Sequence, residues 1–145
     1  MALSKFKSLC QIKQKIIVSK DKGNPQKHIA NNINEDEVYQ YKVDGTIIQE
    51  GLRCDYLVWN ERKKHIYYIE LKGSDLEHAL EQLDATEKTL KERFPMEMKS
   101  CKQVSYRVVL NKYRVPKTYS HKEKVFKKRH LGDLAYGNLE YKESI

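Results

Sequence analysis

The chain has 145 residues, of which 33% are charged and 39% hydrophobic, and it carries a formal net charge of +8. That length suits one domain with one core and argues against a multidomain assembly, while the basic excess favours a polyanionic partner: nucleic acid, an acidic protein or a membrane surface. Three widely spaced cysteines, Cys10, Cys54 and Cys101, argue against a disulfide scaffold or a structural zinc site, and with no signal-type segment and no apolar run near the roughly 20 residues of a bilayer span the chain is expected to be soluble and cytoplasmic, without a membrane partner.

Leu3 to Lys20 sets Phe6, Leu9, Cys10, Ile16 and Ile17 among lysines. It reads either as an amphipathic helix or as a helix followed by a strand at Ile16-Ile17-Val18. Asp21 to Pro25 is a turn, and Asn24 as cap with Pro25 at the first helical position predicts a short helix over Pro25 to Ile33. Val38 to Val43 predicts a strand turning at Asp44-Gly45. Thr46 to Leu52 either extends a hairpin or leads toward Asp55, and Glu50 within it is a spare carboxylate.

The next stretch, Arg53 to Gly73, organises the chain. Tyr56-Leu57-Val58-Trp59 and Ile66-Tyr67-Tyr68-Ile69 flank a polar connector, Asn60 to Lys64, which predicts two antiparallel strands. Asp55 heads the first strand, and Glu70 and Lys72 end the second, so the pairing brings three charges to one sheet end. Side chains alternate along a strand, so Glu70 and Lys72 share a face. Carboxylates set beside apolar strands need a cation, a partner or water. Asp and Glu oxygens suit Mg²⁺ or Mn²⁺, and the carbonyl of Leu71 adds a further ligand.

After Gly73, Ser74-Asp75-Leu76-Glu77 predicts a capping box. Leu76, Leu80, Leu83, Leu90 and Phe94 follow as a stripe, with Pro95 as the stop. Val104 to Val115 predicts a strand ending before Pro116. Lys117, Lys122, Lys124, Lys127, Lys128, Arg129 and His130 make the most basic part of the chain. It reads as a helix or arm along a phosphate backbone, with Tyr113 and Tyr119 as stacking or sugar contacts, or as a solvated helix anchored by Val125 and Phe126. Leu131 to Tyr141, with turns at Gly132 and Gly137, adds an edge strand.

Asp55, Glu70 and Lys72 match, residue by residue, the motif of the PD-(D/E)xK nuclease superfamily, which this chain resembles; Cys54 stands where the family has its proline. Gln82, ten residues past Lys72, resembles the glutamine of RecB-like members, although Thr86 is the nearest polar residue where that branch has a tyrosine. The resemblance implies an α/β restriction endonuclease-like core, αβββαβ, with a mixed four-stranded sheet flanked by helices. That core covers about 25–115, within a single domain 1–145 whose residues 116–145 form a basic extension. It places the last core strand beside that of Glu70 by a right-handed crossover. It also implies that Asp55 and Glu70 hold the metal and that Lys72 orients or activates the attacking water, with Glu50 and Gln82 as accessory residues. Gln26, His28 and Asn32 either face solvent or replace the glutamate some members carry on the first helix.

The expected activity is Mg²⁺- or Mn²⁺-dependent endo- or exonucleolytic hydrolysis of DNA, in repair, recombination or defence against foreign DNA. RNA is left open as substrate, Lys122, Lys124, Lys127, Lys128 and Arg129 bind the polyanion, and a homodimer fits double-strand cutting. The alternative is a non-catalytic nucleic-acid-binding or immunity-type protein-interaction domain that keeps the nuclease fold.

Overall fold

A computed structural model describes residues 2–71, 76–111, 120–130 and 132–145, without the side chains of 120–122. The chain is α/β and contains two sheets. In order, its elements are β1 (Ile16–Lys20), β2 (Lys27–Asn31), β3 (Val38–Lys42), β4 (Tyr56–Asn60), β5 (His65–Leu71), α1 (Leu76–Arg93), α2 (Pro95–Lys99), β6 (Gln103–Leu110), α3 (Ser120–Arg129), β7 (Asp133–Asn138) and β8 (Glu140–Ser144). The larger sheet has the order β3-β4-β5-β6-β7 and the smaller β1-β2-β8. β3, β4 and β5 run antiparallel in succession, and β5, β6 and β7 run parallel.

The β4–β5 hairpin forms as its pattern predicts, from Tyr56 opposite Ile69 to Asn60 opposite His65. The Asn60 side chain accepts the Lys63 amide at 3.1 Å to close the turn, and Lys64 takes a left-handed φ of 52°. All five β4 residues are buried, because both sheet faces are covered. On one face Leu57, Trp59, Ile66 and Tyr68 pack with Leu76, Leu80, Leu83 and Leu90 of α1. On the other, Val58, Tyr67, Ile69 and Val109 pack with Ile17 and Ala30 of the smaller sheet. Helix, five-stranded sheet and three-stranded sheet therefore form three layers around two apolar seams. Each fully buried leucine or isoleucine in such a seam contributes about 1.5–3 kcal/mol.

The structure corrects the expected leading helix. Residues 25–33 contain strand β2, not a helix, and β2 lies in the middle of the smaller sheet between β1 and β8. His28 and Ala30 point inward while their neighbours are half-exposed, and this burial outweighs the capping signal of Asn24 and Pro25. His28 is thereby buried away from solvent and meets Glu143 of β8 at 2.7 Å, not Asp55 or Glu70. For the first segment only the strand of the second alternative is observed: β1 covers Ile16 to Val18, but it follows turns, and no helix precedes it among the described residues. Pro95 ends α1 as expected but also opens α2 as its first residue.

The last strand of the hairpin lies parallel to β6, as the expected crossover requires. The basic extension supplies β7, the expected edge strand, and β8, which joins the smaller sheet. Gly137 lies within β7 instead of forming a turn, and a Cβ there would stand 2.9 Å from the Glu140 carbonyl. The reversal falls at Leu139, at a φ of 62°. Lys72, Gly73, Ser74, Asp75, Tyr113, Lys117 and Tyr119, together with the end of the strand predicted to reach Val115, lie outside the described residues. No helix among the described residues is long and apolar enough to cross a membrane.

Candidate functional site

The three parallel strands finish at one end of the larger sheet, the end at which open α/β sheets bind ligands. Asp55 and Glu70 meet there. One step beyond the Tyr56–Ile69 pair, they stand opposite each other. Alternation from Leu57 and Tyr68 puts both on the face covered by α1. Glu70 is 1% exposed. The Asp55 amide donates to the Ile69 carbonyl at 3.1 Å, and its carbonyl accepts from Val43 at 2.9 Å, fixing it between the ends of β3 and β5. Its Oδ2 accepts the Leu71 amide at 2.7 Å.

Burial pushes the Asp55 carboxyl above the usual carboxylate range, against the lowering effect of hydrogen bonds from the Leu71 amide and the Glu70 side chain. A hydrogen bond between two carboxyl groups needs a proton on one of them, and a cation that replaces that proton satisfies both. Hard oxygen donors on two facing strands fit Mg²⁺ or Mn²⁺. Leu71, whose carbonyl is the expected extra ligand, lends its amide to Asp55. Cys54, in the family's proline position, is fully buried, and burial followed by the Glu70 charge raises its thiol pKa; it is an inert packing residue.

Helix α1 fixes the approach to Asp55. Gln82 Nε2 donates to the Arg53 carbonyl at 3.0 Å. The Thr86 hydroxyl accepts the Cys54 amide and donates to the Gln82 carbonyl, each at 2.7 Å. Gln82 thus acts through the backbone next to Asp55, and Thr86 is its partner in the same task. Sequence spacing brings out Gln82 and marks Thr86 only as the nearest polar residue to an expected tyrosine, since its contact is 32 residues away. Arg53 in turn donates to Asp44 and to the Gly51 carbonyl, both at 2.7 Å, and so clips the loop that carries Glu50. Glu50 is exposed and lines a shallow cavity with Ile47, Gln49 and Arg93. Among the described residues, no group of three or more His, Cys, Asp or Glu side chains is gathered around a metal position.

Basic helix α3 docks on α1. Val125, Phe126 and Arg129 line one groove with Glu77, Leu80, Glu81 and Asp84 of α1, and the parallel pairing of β6 with β7 sets the direction of the helix between them. His130 lies farther along, bridging Asp84 at 2.7 Å and Glu87 at 2.8 Å. The two helices therefore run in the same direction, and the first turns of α3 point toward the end of the sheet that holds Asp55 and Glu70. Lys124, Lys127 and Lys128 are exposed. Lys127 pairs with Glu123 at 3.1 Å and Arg129 with Asp84 at 3.3 Å; the side chain of Lys122 lies outside the described residues. Comparison of the chain with protein-family models, curated proteins and solved structures gives no match.

Proposed function

We propose that the protein is a Mg²⁺- or Mn²⁺-dependent nuclease that hydrolyses DNA, built on a restriction endonuclease-like core of β3, β4, β5, α1 and β6. The observation that carries the reading is the placement of Asp55 and Glu70 opposite each other on one face, at the strand ends. Asp55, Glu70 and the Leu71 carbonyl would hold the cation. When bound, a divalent cation polarises the phosphoryl oxygen and lowers the pKa of a coordinated water. The Leu71 amide keeps the Asp55 carboxylate oriented. Gln82 and Thr86 keep its backbone in place, and Lys72, one residue past Leu71, supplies positive charge for the developing phosphorane-like transition state. Lys124, Lys127 and Lys128 attract the DNA backbone along a helix that leads to the site, in keeping with the net charge of +8. With a single small domain, the activity fits shape-directed cutting in repair, recombination or defence better than sequence reading, and a homodimer fits double-strand cutting.

The test is incubation with supercoiled, linear, single-stranded and branched DNA, in Mg²⁺, in Mn²⁺ and in chelator. Metal-dependent cleavage that disappears in Asp55→Asn and Glu70→Gln is the expected result. Cleavage that persists in both variants overturns the site. An inert wild-type protein that still binds DNA overturns the enzyme and leaves a binding domain.

A further inference from the structure

At the opposite end of the parallel strands a second feature stands apart from Asp55 and Glu70. A cavity of about 610 Å³ opens between the C-terminal half of α1, α2, the start of β6 and the link from α3 to β7. Pockets for small ligands span about 300–1,000 Å³, so it is large enough for a nucleotide. Lys91, Lys99, Lys102 and Arg129 contribute to its wall, against the two acids Glu87 and Asp133.

Both acids are already engaged. Glu87 accepts the Tyr106 hydroxyl and contacts His130 at 2.8 Å and Lys91 at 3.2 Å. Asp133 accepts from both terminal nitrogens of Arg107, at 2.8 and 3.2 Å. Neither Lys99 nor Lys102 forms an ion pair with a described residue, and both are exposed. Lys99 and Lys102 therefore present cationic charge to the cavity without a counterion among the described residues, which suits an anionic ligand.

The wall is also held in shape. The Lys64 carbonyl accepts both the Lys102 amide at 2.8 Å and the Gln103 amide at 3.2 Å, and the Cys101 amide returns to Met98 at 3.2 Å. At Gly132 a Cβ would stand 2.4 Å from the Val104 carbonyl, so only glycine lets the link to β7 close against β6. Met98, Cys101 and Val104 make an apolar flank. The Ser105 hydroxyl lies 2.7 Å from His65 Nε2 at the polar edge. Lysines on a held backbone at one side and an apolar flank at the other match a ligand with a phosphate and an uncharged ring.

We propose that this cavity binds a nucleoside monophosphate group, with Lys99 and Lys102 on the phosphate and the Met98–Val104 flank against the base, either as a free nucleotide or as the phosphorylated end of a strand. The site is separate from the proposed nuclease site and does not depend on it.

Amide chemical shifts of the whole chain, followed while AMP, adenosine, or a short single strand with or without a 5′-phosphate is added, test the proposal. AMP or the phosphorylated strand is expected to shift amides of 98–105 and of His130, Gly132 and Asp133 saturably, whichever of the two binds more tightly naming the source. Adenosine and the unphosphorylated strand should bind at least about tenfold more weakly, the loss of one or two charge-assisted hydrogen bonds. Lys99→Gln with Lys102→Gln, both at exposed positions, should weaken binding by a similar factor without lowering Tm, while Asp55→Asn should leave it unchanged. No saturable shift from AMP or the phosphorylated strand up to about 10 mM, or unchanged affinity in the double lysine variant, overturns the proposal. Neither result alters the outcome of the cleavage assay.

Discussion

Asp55 shows how much one hydrogen bond separates variants that look alike on paper. Its Oδ2 takes the Leu71 amide at 2.7 Å, and an asparagine retains that acceptor while losing the charge. Asp55→Asn should therefore keep the stability of the metal-free protein. Asp55→Ala strands a backbone donor and should cost about 1–3 kcal/mol. Both should abolish the stabilisation by Mn²⁺ expected of the wild type, as should Glu70→Ala. Thermal unfolding with and without Mn²⁺ checks this, and equal Mn²⁺-induced shifts in wild type and variants would remove the metal from these carboxylates. Lys72 is the residue on which rate should depend. Lys72→Met keeps the stem and should lower single-turnover cleavage at least about 10²-fold, the effect of deleting one preorganised transition-state contact, with DNA binding in Ca²⁺ unchanged. Lys72→Arg should not restore it, because a planar guanidinium places its donors differently from an ammonium. At this scale the sequence is a good guide to residues whose partners lie on adjacent strands, such as Asp55 and Glu70. It marks Thr86 only as the polar residue nearest an expected tyrosine and gives it no task, because its hydroxyl has a use only once the Cys54 amide, two residues before β4, lies against it.

Elements differ in legibility for the same reason. The β4–β5 hairpin and α1 carry strong local periodicity and satisfy it with neighbours close in sequence. β2 does not: His28 meets Glu143 across 115 residues, and only that assembly makes KHIAN a central strand. α3 is legible as a basic helix with Val125 and Phe126 as candidate anchors; Phe126 is buried as such an anchor while Val125 stays exposed, and the partners of Phe126 and His130, on α1 and β6, are not legible. Docking turns on the buried His130 between Asp84 and Glu87. Burial lowers its pKa, but hydrogen bonds and charges from Glu87 and then Asp84 outweigh that and raise it above the ordinary 6.5. A raised folded-state pKa stabilises the fold fully below the ordinary value and ceases to do so as pH rises through the folded one. Protection factors of amides 123–130, which remove the base-catalysed rise of intrinsic exchange with pH, should accordingly fall on the alkaline side, and His130→Ala, which takes from Glu87 one partner and leaves it Tyr106 and Lys91, should cost about 1–3 kcal/mol and flatten that dependence. An alkaline profile unchanged in the variant would count against the clamp. On the outer face, Lys124→Gln, Lys127→Gln and Lys128→Gln together should reduce the salt slope of duplex DNA binding by about 0.9 for each phosphate they cease to neutralise. Lys127, already paired with Glu123, should contribute least, and an unchanged slope would make α3 a solubility feature.

Across the whole molecule, the two sheets are joined by apolar packing, by hydrogen bonds from Gln40 and Tyr56 to β1, and by a buried ionic group around Arg107. Arg107 of β6, 5% exposed, donates to Asp133 of β7 at 2.8 Å and to both Glu143 oxygens of β8 at 2.8 and 2.9 Å. Glu143 also meets His28 of β2 at 2.7 Å, so its carboxylate links the smaller sheet to the larger. The C-terminal Ile145 is buried beside it, its amide donating to the Asn31 carbonyl at 3.0 Å. Burial raises the Glu143 pKa, but hydrogen bonds from His28 and Arg107 outweigh it and leave it below 4.5; Arg107 lowers Asp133 as well. Depressed carboxylate values stabilise the fold above the ordinary carboxylate range, and that stability disappears as pH falls through the folded-state values. Glu143→Ala removes one partner of a buried guanidinium and should cost about 3–5 kcal/mol near neutral pH. Because the variant lacks the same ion pair that acid breaks in the wild type, the stability difference between the two should narrow as pH is lowered below 4.5. Urea unfolding of both proteins across that range decides it, and a difference that stays constant with pH would mean that packing of β8, and not its charge, joins the sheets.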